Sequence, residues 1–241
     1  MERYFQAVQD LQRQVIESQR ETLEQVAAEM LGVVQRDGRI FIFGTGHSHL
    51  LAEEGFYRAG GLAAITPIFD PALMLHEGAE RSGRLERTAG LAGPLLERYH
   101  PQPGELLIVV SNSGVNRMPV EMALAGRALG LKVVALLSRA YAAVAPLSDL
   151  GLRLDEAADY VIDNGGRPGD ALVALDGSAW RAGPSSTVIG ALLLNGLVTE
   201  VVARLAAQGG ELPVFASHNL EGAREHNRAL LDKWRAINPH L

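Results

Sequence analysis

The segment LLIVVSNSGVNRMPVEMALAG, Leu106–Gly126, decides the architecture of the chain. Five apolar residues, Leu106–Val110, end in Ser111-Asn112-Ser113-Gly114, and a helical pattern follows over Pro119–Leu129. A short unbroken apolar run bounded by turn residues is the pattern of a strand buried on both faces, the kind found in parallel sheets. Two hydroxyls, an amide and a glycine at its mouth mark a place that holds something small and anionic. Helix N-termini offer free N–H groups to an anion, and serine hydroxyls add further donors. The loop contains no lysine, so the P-loop pattern fails.

The same alternation extends outward. RIFIFG (39–44) is a short strand followed by Gly44-Thr45-Gly46-His47-Ser48 and a helical stretch over 47–59. LAAITPIF (62–69) is a second strand broken by Pro67, and residues 80–99 are helical with interruptions at Gly90 and Gly93-Pro94. KVVALLS (132–138) and the weaker DYVID (159–163) complete five strands. Strands alternating with helices imply a parallel sheet covered on both faces, a three-layer αβα sandwich. DALVALDGSAW (170–180) reads as an irregular hairpin turning near Asp176-Gly177. Pro184-Ser185-Ser186 opens a long apolar helix reaching about Gln208, and a last helix covers about Leu220–Trp234. Residues 2–36 read as one long helix with Phe5, Val8, Leu11, Val15, Leu23, Val26 and Met30 on one face, an expected oligomerisation arm. The chain is thus expected to form one domain: a helical arm (1–36), an αβα core (37–208) and a C-terminal helix (209–241).

Composition narrows the function. The 241 residues are 47% apolar, with 28 acidic against 22 basic side chains and a formal net charge of −6. That balance argues against a general nucleic-acid binder. The absence of cysteine excludes disulfides, thiol catalysis and cysteine-held metals. MERYFQAVQDLQRQ at the start is polar and helical rather than a signal peptide. The most apolar run, Val188–Val198, is shorter than the ~20 residues of a bilayer span. No membrane contact and a cytoplasmic location are therefore expected. Gly44-Thr45-Gly46 lacks the third glycine of the dinucleotide fingerprint, which discounts NAD and FAD.

The ordered pair Gly44-x-Gly46-x-Ser48 and Ser111-x-Ser113-Gly114 on this β/α pattern resembles the sugar isomerase (SIS) domain family, nearest its phosphoheptose isomerase branch. The resemblance covers roughly residues 35–205. It implies a five-stranded parallel αβα sandwich that binds a sugar phosphate. Ser111 and Ser113 would grip the phosphate with Ser48 nearby; Thr45, Gly46, Asn112, Gly114 and Asn116 of the same two loops are further candidate phosphate-binding residues, Asn116 standing where the family often has Thr or Ser. It also implies sites shared between subunits, hence a homodimer or a dimer of dimers. The implied chemistry is removal of a proton next to the sugar carbonyl, giving isomerisation or elimination. The alternative is a non-catalytic phosphosugar-sensing module. The family's catalytic Glu lies farther along the first helix; here Glu53 and Glu54 stand five and six residues after Ser48. The family's late-helix histidine has no counterpart in Ser185–Gln208.

Proton abstraction needs a carboxylate or imidazole base and an acid for the oxygen. Three clusters offer them. The first is His47, His49, Glu53 and Glu54, in which His49 and Glu53 share one helix face and His47 and Glu54 another. The second is His76-Glu77 before Gly78, and the third is Glu225-His226-Asn227 with His218 nearby. His226 and His76 are the leading candidates for a histidine supplied by a neighbouring chain. No cofactor is expected; a zinc ion on His47-x-His49 is a minor alternative.

Overall fold

The computed structural model describes residues 1–209 and 211–241. In chain order the helices and strands are α1 (Glu2–Ser18), α2 (Arg20–Gln35), β1 (Ile40–Gly44), α3 (Leu50–Gly55), β2 (Ile65–Ile68), α4 (Ala79–Leu85), α5 (Ala92–Glu97), β3 (Leu106–Val110), α6 (Arg117–Ala128), β4 (Lys132–Leu137), α7 (Arg139–Val144), β5 (Tyr160–Asp163), β6 (Ala171–Ala174), β7 (Arg181–Pro184), α8 (Ser186–Ala207) and α9 (Ala223–Trp234). Five strands form one sheet in the order β2-β1-β3-β4-β5, every pair parallel. The fold is the expected αβα sandwich. Residues alternate cleanly between its layers: Ile40, Ile42, Leu106 and Ile108 face α2, α3 and α8, while Phe41, Phe43, Leu107 and Val109 face α5 and α6.

Long-range contacts account for the differences from the sequence pattern. The expected single N-terminal helix is two helices, broken at Gln19. No glycine or proline lies near the break. Gln19 instead turns its side-chain oxygen to accept the Asp163 N–H at 2.9 Å. The 80–99 region splits into α4 and α5, and the 47–59 helix shrinks to a 3-10 turn at Gly46–His49 followed by α3. Pro67 is tolerated because β2 is an edge strand, where a missing N–H breaks no second ladder. The C-terminal tail reaches this edge, Asn238 Nδ2 donating to the Ile65 carbonyl at 3.2 Å. The hairpin is present as antiparallel β6 and β7. Helix α8 is long and apolar enough to cross a membrane by length and composition alone, but Ile189, Leu193, Leu197 and Val201 are buried in the core against α2 and α3.

One buried ion pair fastens the amino end of the sheet. Arg39 precedes β1 and Glu105 precedes β3, and their side chains are 4% and 8% exposed. Arg39 Nε and Nη2 donate to the two Glu105 oxygens at 2.8 and 3.0 Å. Its remaining donors reach the carbonyls of Tyr99, His100 and Ile237 at 2.7–2.8 Å. All five guanidinium N–H groups are therefore used, and the group also stacks on Phe41 at 4.7 Å. Removing one partner of such a pair strands the other charge. Arg39→Met is expected to cost about 3–5 kcal/mol. Urea unfolding would read this as a lower midpoint, and an unchanged midpoint would contradict it.

Candidate functional site

Strands β1 and β3 are neighbours, with Gly44 opposite Val110. After β1 the chain enters α3, which packs on α8; after β3 it enters α6, which packs on α5. The two connections leave toward opposite faces of the sheet. A crevice opens between them at the carboxyl ends, where open α/β sheets bind ligands.

The first loop is shaped by glycine. A Cβ on Gly44 would lie 2.5 Å from the Ser48 backbone, so only glycine lets the chain fold back this tightly. The glycine serves the chain's own close approach rather than a ligand's. Gly46 has φ +54°, and its carbonyl accepts a hydrogen bond from His49 Nδ1. The buried His49 ring then places Nε2 3.4 Å from Glu53 and its centroid 6.5 Å from that of His76. Two of the three sequence clusters thus meet at one rim of the crevice. Glu53 is 53% exposed. Among the described residues no group of three or more His, Asp or Glu side chains is arranged to hold a metal ion.

Other expected site residues are committed elsewhere. Glu54 accepts from Arg58 and, at 2.7 Å, from Asn195 Nδ2. Asn195 lies nine residues into α8, roughly 13 Å from its start at 1.5 Å per residue. Glu54 therefore points down the helix layer and away from the strand ends. Glu77 is exposed and lies 3.8 Å from Arg81. His226 donates to the Val214 carbonyl at 2.7 Å, and Asn227 bonds both polar groups of the Ala216 backbone at 2.9 Å. That segment lies beside Gly60–Ala63 and β2's amino end, so within one chain the third cluster does not reach the crevice.

The second loop divides its labour. Ser111 is buried, and its hydroxyl accepts the Gly114 N–H at 3.3 Å, holding the turn closed. Gly114 has φ +63°, and a Cβ there would press within 3.1 Å of Leu137. The Asn112 carbonyl accepts from the Ser138 N–H at 3.0 Å, and its side chain accepts from Asn164 at 2.9 Å. Through these bonds Ser111 and Asn112 hold the turn. Ser113 and Asn116 instead line a cavity of about 500 Å³ shared with Arg87, Tyr141, Ser148 and Asp149. The N–H groups of Ser113, Val115, Asn116 and Arg117 find no acceptor among the described residues. Beside them, hydrogen bonds first to Glu121 and then to Asp149 push the Arg117 pKa further up and keep it cationic.

On the opposite side of this loop, Ser48, Asn112, Asn164, Ser186 and Thr187 enclose a hollow of only about 10 Å³, room for one water. The start of α8 is already served by a carboxylate at the mouth of the hairpin. Asp170 accepts from the N–H groups of Ser185 and Ser186 at 3.0 and 2.8 Å and from both hydroxyls at 3.0 and 2.6 Å. It does so from a left-handed backbone, φ +65°. The start of α6 carries no such side-chain cap beside its cavity.

A doubly wound parallel sheet with an anion-receptive loop at its switch point defines a small-molecule-binding α/β protein. Residues 3–138 match the SIS domain family, and the chain belongs to that family. A UPF0309 protein of Brucella canis is 43% identical over 216 residues, covering 89% of this chain and 88% of the relative. The phosphoheptose isomerase of Neisseria gonorrhoeae shares the fold at 18% identity and TM-score 0.54, over 83% of this chain and 95% of that one. The sugar isomerase domain of the RpiR transcription factor from Sphaerobacter thermophilus does so at 15% identity and TM-score 0.53, over 97% and 96%.

The division of labour predicts different phenotypes for the two serines. Ser113→Ala should weaken binding of a sugar phosphate by about 1.5–3 kcal/mol, the scale of a hydrogen bond to a charged group, with thermal stability kept. Ser111→Ala should lower stability as well, because the Gly114 N–H loses its acceptor. Calorimetric titration and thermal unfolding of both variants check this; equal affinity in wild type and Ser113→Ala would contradict it.

Proposed function

We propose that this protein binds a sugar or amino-sugar phosphate at the carboxyl ends of the strands, in the cavity between the loop after β3 and the 141–149 segment after β4, and removes a proton next to its carbonyl, giving isomerisation or elimination. The observation that carries the reading is the set of free N–H groups at 113 and 115–117, opening with Ser113 and Asn116 into a cavity of about 500 Å³. Backbone donors and a helix dipole suit a phosphate. The volume falls within the 300–1,000 Å³ of small-molecule sites. The rim supplies acid–base groups in Glu53, His49 and His76. The reading calls for no cofactor.

We further propose that the working form is a homodimer or a dimer of dimers. An apolar groove of about 290 Å³ runs between α1, α2 and α8, lined by Ile16, Leu23, Leu192, Leu193 and Leu197 with a polar rim of Arg20, Glu24 and Glu200. Phe5, near the start of α1, is also 52% exposed. Apolar patches rimmed by charge mark protein interfaces. A second copy would also allow a partner's histidine to reach the crevice.

Proton exchange from heavy water into a panel of aldose, ketose and amino-sugar phosphates, followed by NMR, tests the function without knowledge of the product. Incorporation next to the carbonyl of at least one compound is expected, and sedimentation of the same sample should give a multiple of the chain mass. Tight binding without exchange would make the protein a sensing module instead. Neither binding nor exchange would sink the phosphosugar reading.

A further inference from the structure

One carboxylate outside all the sequence clusters stands between the two loops. Glu86 follows α4, and its Oε1 accepts a hydrogen bond from Thr45 Oγ1 at 2.6 Å. Its carbonyl accepts the Met118 N–H at 2.9 Å. The residue is therefore tied by its side chain to the loop after β1 and by its backbone to the first turn of α6. The side chain is 20% exposed, sheltered from bulk water yet open on one side. Its ion-pair contact among the described residues is Arg87, at 4.0 Å from Oε2, and Arg87 itself lines the Ser113 cavity. Glu86 is thus neither spent in a tight pair, as Glu54 is with Arg58, nor half in solvent, as Glu53 is.

We propose that Glu86 is a catalytic carboxylate of this site, the base for the carbon next to the carbonyl of a sugar phosphate; this rests on the phosphosugar reading above. Thr45 follows Gly44 and Ser111 follows Val110, and these strand partners lie ~4.8 Å apart. The Glu86 carbonyl accepts the Met118 N–H, one residue past the open amides, and Arg87 lines the Ser113 cavity, which puts the carboxylate at the edge of a site whose phosphate sits on the amides of 113 and 115–117. The Thr45 hydroxyl holds one carboxylate oxygen and leaves the other free to work. That oxygen takes the proton from the carbon beside the carbonyl, and the C–H electron pair becomes the C=C bond of an enediolate. The proton of the neighbouring hydroxyl passes to the former carbonyl oxygen, and Glu86 returns its proton to the former carbonyl carbon. The isomer forms with no net loss of atoms or electrons.

The test compares wild type, E86Q, E86D and E53Q in the heavy-water exchange assay, with inorganic phosphate binding measured on each. E86Q keeps an acceptor for Thr45 but cannot take a proton. It should exchange at least ~100-fold more slowly, the low end of acid–base contributions, with phosphate affinity within about twofold of wild type. E86D should recover part of the rate, and the acid limb of the wild-type pH–rate profile should vanish in E86Q. If E86Q exchanges at the wild-type rate, or if E53Q alone abolishes exchange, the Glu86 assignment falls while the phosphosugar reading stands. If the wild type exchanges no compound in the panel, both fall together. Should E86Q not fold, a folded E86D with the full wild-type rate and pH profile would overturn the assignment.

Discussion

The proposed site depends on β1 and β3 lying side by side while the chain leaves them in opposite directions. The Gly44–Val110 pairing brings the ends of the two strands together. The exits of α3 and α6 to opposite layers then hold them apart above the sheet. No other adjacent pair in the order β2-β1-β3-β4-β5 carries hydroxyl-rich loops of this kind at both carboxyl ends. Each local feature serves that geometry. Gly44 lets the first loop fold back, the Ser111 hydroxyl closes the second, and Asn112 ties the second loop to the segments after β4 and β5.

The two ends of the sheet are built differently, and the difference is electrostatic. At the amino end the Arg39–Glu105 pair is buried with every guanidinium donor satisfied, which joins β1, β3, the end of α5 and the C-terminal tail. At the carboxyl end the corresponding demand is met at α8, where Asp170 caps the helix, and left open at α6. Buried backbone donors are rarely left without an acceptor in folded proteins, and the open set at α6, beside a cavity, is where the proposed phosphate would bind. Rigidity at one end and open donors at the other belong to one design: the scaffold is fixed where it need not respond.

The sheet, the hairpin and α8 were legible in the sequence because each is written in local periodicity. Leu106–Val110 and Ile40–Phe43 are unbroken apolar runs, and Asp176-Gly177 announces its turn. The two loops were legible as a pair for the same reason. What escaped depends on contacts between distant residues. The break at Gln19 has no local breaker and is explained by Asp163, 144 positions away. Glu54 looked as available as Glu53 until α3 packed on α8 and brought Asn195 to it, 141 positions away. Ser111 and Ser113 look alike in the motif, and only the fold shows that one closes the turn while the other faces the cavity. Glu86 belongs to no motif, and nothing in its neighbours Leu85 and Arg87 marks it; its meaning lies in Thr45, 41 positions earlier.

The central claim is that the open donors at the start of α6 receive a phosphate. Backbone amide NMR of the protein titrated with inorganic phosphate addresses it most directly. The account predicts saturable shifts that are largest at Ser113, Val115, Asn116 and Arg117, with Ser185 and Ser186 unmoved because Asp170 already serves them. Shifts centred on Ser185–Thr187 with 113–117 unchanged would contradict it.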